Sequence, residues 1–115
     1  MVEALKAMAH DPKKLEPSLI VQAADSEDPE LRILAIRTAS ASCYAKAAQL
    51  CLRLLFDEED AVIFEAIRAL EIVGDASALP HLRRLSYSED PDIALTAMEA
   101  MRSLQGPEYQ LRAAA

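Results

Sequence analysis

Apolar residues in this chain recur with a helical period, and the helices they predict recur in turn. In the run AVIFEAIRALEIV, from Ala61 to Val73, a rotation of 100° per residue gathers Val62, Ala66, Ala69, Leu70 and Val73 on one face. The same face reappears upstream as Leu31, Ala35, Thr38, Ala39 and Ser42, and downstream as Ile93, Ala97, Ala100, Met101 and Leu104. Alanines fall at Ala4, Ala35, Ala66 and Ala97, so each step is 31 (35−4, 66−35, 97−66). The same step links Leu31, Val62 and Ile93. It links Leu5, Ile36, Ile67 and Met98, and Met8, Ala39, Leu70 and Met101. Between these segments it links Ile20, Cys51 and Leu82, and Ala23, Leu54 and Leu85. So many registers sharing one period define an internal repeat.

Each unit holds two helical segments. The second, B, is predicted over 29–41, 60–73 and 91–104, and the first, A, over 14–24, 44–56 and 76–86. Asp28-Pro29 and Asp90-Pro91 each place an N-cap carboxylate before a proline at the first helical position. The middle copy, Glu58-Glu59-Asp60, keeps negative charge at the positive end of the helix dipole. Gly74 marks the end of the middle B helix, where a residue of positive φ is wanted. Pro17 and Pro80 belong in the first turn of their A helices, because deeper inside each costs about 3 kcal/mol. The chain divides into units 11–42, 43–74 and 75–105, with partial units 1–10 and 106–115. Residues 2–9 match a B helix with no A helix before it, and 107–115 match the start of an A helix. Val2, Leu5, Met8, Tyr109 and Leu111 leave both ends apolar, whereas a solenoid is normally closed by polar units. Either the solenoid continues, or its ends meet another molecule, or short helices cap it.

Composition narrows the function. The 115 residues suit one domain; they are 52% hydrophobic and 4% aromatic, with 2 glycines, which favours an all-α chain. A net charge of −7 lacks the basic surplus that phosphate recognition needs, so nucleic acid is not expected as a partner. No apolar run reaches membrane-spanning length and no signal peptide is visible, so a soluble protein is expected. Cys43 and Cys51 lie in one predicted helix, eight residues and about 12 Å apart along its axis, too far for a disulfide. Reduced thiols fit a cytoplasmic protein. His10 and His81 have no second ligand at metal spacing, and no nucleophile elbow, phosphate loop or dinucleotide fingerprint occurs. No cofactor and no enzymatic activity are expected. The acidic run Glu58-Glu59-Asp60 is read as helix capping rather than a metal site.

The middle unit, through Val62, Ala66, Ala69, Leu70, Val73, Gly74, Asp75, Ala78, Pro80, Leu82 and Leu85, resembles HEAT repeats, in particular the short repeats associated with phycobilisome lyases. Asp28, Pro29, Leu31, Arg32 and Ala35 match the same pattern, as do Asp90, Pro91, Ile93, Ala97, Ala100, Met101 and Leu104. The resemblance implies a right-handed α-solenoid of antiparallel helix pairs, about three repeats with incomplete ends. Function is less constrained, because one fold hosts many roles. The family's arginine early in helix B survives only as Arg32, with Ile63 and Ala94 in the other copies, so a full Asp–Arg ladder between repeats is not expected. The family's iron hydroxylases carry paired His-Glu motifs, and no His-Glu dipeptide occurs here.

A working surface is sought on the B helices. Ile33, Phe64 and Leu95, with Val2 in the partial first unit, point away from helix A, where polar residues are the rule. The resemblance makes this the inner, concave wall. The expectation is an exposed apolar groove for a protein or peptide, edged by Arg37, Arg68, Glu71, Glu99 and Arg102. The flanking strip of Ile36, Ile67 and Met98 is read instead as packing against the neighbouring B helix. The function expected is a non-catalytic protein-interaction scaffold. Its alternatives are a phycobilin-lyase-like enzyme subunit, a module that self-associates through its open ends, and a DNA-acting repeat protein.

Overall fold

The structure, a computed structural model, describes residues 1–42 and 44–114, with side-chain environments for all of these except Pro12 and 106–114. Cys43, Tyr109 and Leu111 therefore lie outside the residues whose side chains are described. Seven α-helices follow one another among the described residues: α1 (Val2–His10), α2 (Pro17–Ala24), α3 (Pro29–Ala41), α4 (Ala47–Leu54), α5 (Asp60–Val73), α6 (Leu79–Leu85) and α7 (Pro91–Ala114). Two 3-10 turns, Pro12–Lys14 and Ala76–Ala78, precede α2 and α6.

The B helices are α1, α3, α5 and α7, and local chemistry sets where they begin. Asp28 Oδ1 accepts a hydrogen bond from Glu30 N at 3.0 Å, and Asp90 Oδ1 accepts one from Asp92 N at 2.9 Å. Ser26 Oγ and Ser88 Oγ accept from the N–H of these two aspartates at 3.0 and 3.1 Å. In the middle unit Asp57 stands in the serine's place and accepts from Glu59 N at 2.9 Å, while the N-cap Glu59 makes no side-chain cap. Gly74 closes α5 with φ 75°, its N–H bonded to Leu70 O at 2.9 Å. Asp75 Oδ1 then accepts from Ser77 N at 2.9 Å, and this bond holds its carboxyl below the usual carboxylate range. Pro17 opens α2, and Pro80 falls in the first turn of α6. One expected boundary is absent. The third B helix was expected to end at 104 and a further A helix to start at 107, yet α7 runs through Gly106 and Pro107 to Ala114. A proline removes one backbone donor, but the Leu, Gln, Glu, Arg and Ala around it are good helix formers.

Each A helix packs on the B helix that follows it: α2 on α3, α4 on α5, α6 on α7. Each B helix also packs on the next, α1 on α3, α3 on α5 and α5 on α7, whereas consecutive A helices stand further apart. The more closely spaced row lies on the inside of the curve, so the B helices form the concave side. The result is an elongated solenoid of 49 × 29 × 17 Å. Its core is one continuous cluster running from Leu5 to Ala100. The alanines repeating at Ala35, Ala66 and Ala97 have no exposed surface, and small side chains there let A and B helices approach.

Candidate functional site

The outward line of the B helices is open only where it reaches the ends of the row. Val2 is 41% exposed, Ile33 7%, Phe64 half-buried and Leu95 55%. Ile33 therefore does not belong to an exposed groove, contrary to expectation. B helices converge on the concave side, so an outward side chain in the interior is flanked by long neighbours on both sides. Val2, Lys6 and Arg37 border one hollow of about 250 Å³ with Ile33. Phe64 leans on the core cluster. Leu95 has a neighbouring B helix on one flank only.

The flanking strip follows the same rule. Ile36 and Ile67 are fully buried, as packing against the next B helix requires, but their counterpart Met98 is 46% exposed. Met98 and Met101 line a hollow of about 310 Å³ between α6 and α7, together with Arg83, Tyr87 and Arg102. Tyr87 is largely exposed. Of the expected edge residues, Arg68, Glu99 and Arg102 are exposed and Glu71 partly so. Arg37 donates to Glu65 Oε1 at 2.6 Å, tying α3 to α5, and this bond raises the Arg37 pKa above its ordinary value. The single groove thus separates into a hollow at each end of the B row; Phe64, Arg68 and Glu71 line neither of these two. Tyr87 and Arg83, on the α6 side, lay outside the expected surface. The signal for Met98 was its place as the last copy of a strip that packs forward.

Charge is also taken inside. Arg32 donates from its Nη2 to Asp57 Oδ1 at 3.0 Å and from its Nη1 to Ser26 O at 2.8 Å. Its Nε lies 2.8 Å from Asp57 Oδ2, off the line of a hydrogen bond but in close ion-pair contact. The two side chains are 11% and 8% exposed. One rung of an Asp–Arg ladder therefore exists, where Arg32 and Asp57 occur together. At the next junction Ile63 and Ser88 hold these places (63−32 and 88−57 are both 31). On the outer face Arg53 and Asp25 pair at 3.0 Å, and Phe56 meets His81 edge-to-face with centroids 5.7 Å apart. Cys51 is buried, and burial pushes its thiol pKa up to about 12. No cluster of three or more His, Cys, Asp or Glu side chains suited to a metal occurs among the described residues, and no described helix is long and apolar enough to cross a membrane.

The stacked helix pairs and their 31-residue period define a helical repeat protein. The family of HEAT repeats matches residues 16–115, most of the chain, and the chain belongs to it. No curated protein and no solved structure matches.

Proposed function

We propose that this chain is a non-catalytic interaction module whose partner, a protein or peptide, docks on the B-helix surface at its α7 end. One observation carries the reading: Leu95 and Met98 are exposed, although their counterparts Ile33, Ile36 and Ile67 are buried. Apolar positions that a second neighbouring B helix covers at Ile33, Ile36 and Ile67 and that stay open on α7 suit a site where another molecule supplies the cover. Arg102 and Glu99 give this patch a charged rim. The net charge of −7 favours a protein over a nucleic acid. The family's usual role as a scaffold supports a binding function, and reduced, buried Cys51 goes with a cytoplasmic setting. The likeness to phycobilisome-lyase repeats rests on Asp28-Pro29, Asp90-Pro91 and Gly74-Asp75, and is carried no further than architecture.

A photo-crosslinking residue at Leu95, with Val21 on the A row as the control, tests this in native extract. A discrete protein adduct from position 95 that disappears in Met98→Lys is the expected result. Identical adduct patterns from the two positions would overturn it.

A further inference from the structure

Ile72 is 73% exposed, although its helix, α5, has a B helix on either side. Its counterparts at steps of 31 are His10, Ala41 and Ser103, so a bulky apolar residue at this position is peculiar to the middle unit. Beside it Val73 is 40% exposed, where Ser42 stands one unit earlier and Asp11 two. Tyr44 takes the place of Lys13 and Asp75 (44−13 and 75−44 are both 31). Ile72, Val73 and Tyr44 line a hollow of about 350 Å³ with Ala39, Ser40 and Ala47, between the ends of α3 and α5 and the start of α4. The backbone fixes Tyr44 there: its N–H donates to Ala39 O at 3.1 Å, and its carbonyl accepts from Ala47 N at 3.0 Å. A further repeat would pack beyond α1 or beyond α7, so a longer solenoid does not fill this place.

Tyr44 also borders a second hollow, of about 270 Å³, with Val21, Lys46, Gln49, Leu50 and Arg53. Lys46 is exposed and makes no ion pair among the described residues. Arg53 pairs with Asp25 at 3.0 Å, but both side chains are more than half exposed, and such a pair changes partner at little cost. An apolar hollow and a cationic one thus meet at one tyrosine.

Charge across the molecule selects the occupant. The helix pairs are antiparallel, so turns into the B helices lie along one edge and turns into the A helices along the other. The turns into the B helices, residues 25–30, 57–60 and 89–92, hold most of the carboxylates. The turns into the A helices balance Lys13, Lys14 and Lys46 against Asp11, Glu16 and Asp75, and Asp11 and Asp75 are engaged with Lys13 N and Ser77 N. An acidic segment is repelled from the first edge and admitted at the second, where Lys46 is free.

We infer that the α3–α4 turn is a second docking site, taking a segment of another protein that offers a bulky aliphatic side chain to the Ile72 hollow and a carboxylate close to it for Lys46 and Arg53. The site is separate from the α7 patch and does not rest on it.

Selection of displayed random short peptides on the full chain tests this, with Ile72→Ser as the counter-selected surface; Ser103 already places serine at this position in a sister unit. Peptides joining leucine, isoleucine or valine to aspartate or glutamate are expected. Measured calorimetrically, their affinity should fall about tenfold in Ile72→Ser and about fivefold in Lys46→Glu, and stay unchanged in Met98→Lys. All three positions are exposed, so the variants should keep the fold. No enriched peptide, enriched peptides without carboxylates, or affinities unmoved by Ile72→Ser would overturn the inference. Concentration-dependent oligomers lost in Ile72→Ser would make a second copy the occupant and overturn it too. Val21 borders this site, so position 21 reads it independently of Leu95, and failure at one leaves the other standing.

Discussion

Arg32 is a charged residue that the fold buries, and its cost depends on whether Asp57, whose side chain is 8% exposed, is there to meet it. Removing one member of such a pair leaves an uncompensated charge in a poorly solvated site. Arg32→Ala is expected to destabilise by about 3 kcal/mol in urea unfolding. Arg32→Ile combined with Asp57→Ser copies the next junction, Ile63 with Ser88, and should recover most of that loss. A double variant no better than Arg32→Ala would mean the junctions are not interchangeable. Cys51 gives a second test at this scale. Its thiol pKa of about 12 lies above the ordinary thiol value, so the native state holds this proton in alkali after the unfolded chain has lost it. Its contribution is intact below the unfolded value and is lost as pH rises from there towards 12. In a Cys43→Ser background, alkylation of Cys51 at neutral pH should follow global unfolding; rapid labelling of the folded chain would contradict its burial. The single Arg32 was plain in the sequence, but its partner was not, because Asp57 lies 25 residues away and reads locally as a turn residue.

Helix boundaries were the most legible feature, because caps act within one turn. The B helices predicted over 29–41 and 60–73 begin and end at those residues. Gly74 shows the local logic: φ is 75° and no atom lies within 4 Å of where a Cβ would stand. Gly74→Ala should therefore cost about 1 kcal/mol through backbone conformation alone. Gly74→Asn should cost less, since asparagine tolerates the left-handed region. The third B helix, predicted over 91–104, instead runs on to Ala114, because strong helix formers on both sides of Pro107 continue it. The first segment, α1, packs on α3 and buries Leu5 completely. Leu5→Ala should lower stability by about 3 kcal/mol, a core penalty, if α1 is integral to the solenoid. A change under about 1 kcal/mol would mark α1 as loosely attached.

Across the whole molecule, equivalent positions differ only in what stands next to them. Ile67 and Met98 occupy the same register, yet one is fully buried and the other 46% exposed. Ile67→Lys would force an ammonium into the α5–α7 interface and should destabilise by about 4 kcal/mol. Met98→Lys should stay within about 0.5 kcal/mol of the parent chain in the same thermal or urea unfolding series. Equal losses at the two positions would show that the α7 face is covered. This contrast also separates stability from the proposed binding: only the Met98 change is expected to alter the proposed docking patch while leaving the fold intact.

The sequence alone determined the repeat, its two helices and their caps, because the 31-residue period and the capping residues are local and recur. It also marked the apolar positions on each helix. Only the tertiary structure decided which of these stay open. Burial depends on how close neighbouring B helices lie on the concave side and on whether a helix has neighbours on one flank or two. That is why Ile33 closed, Phe64 half closed, and Leu95 and Met98 remained uncovered.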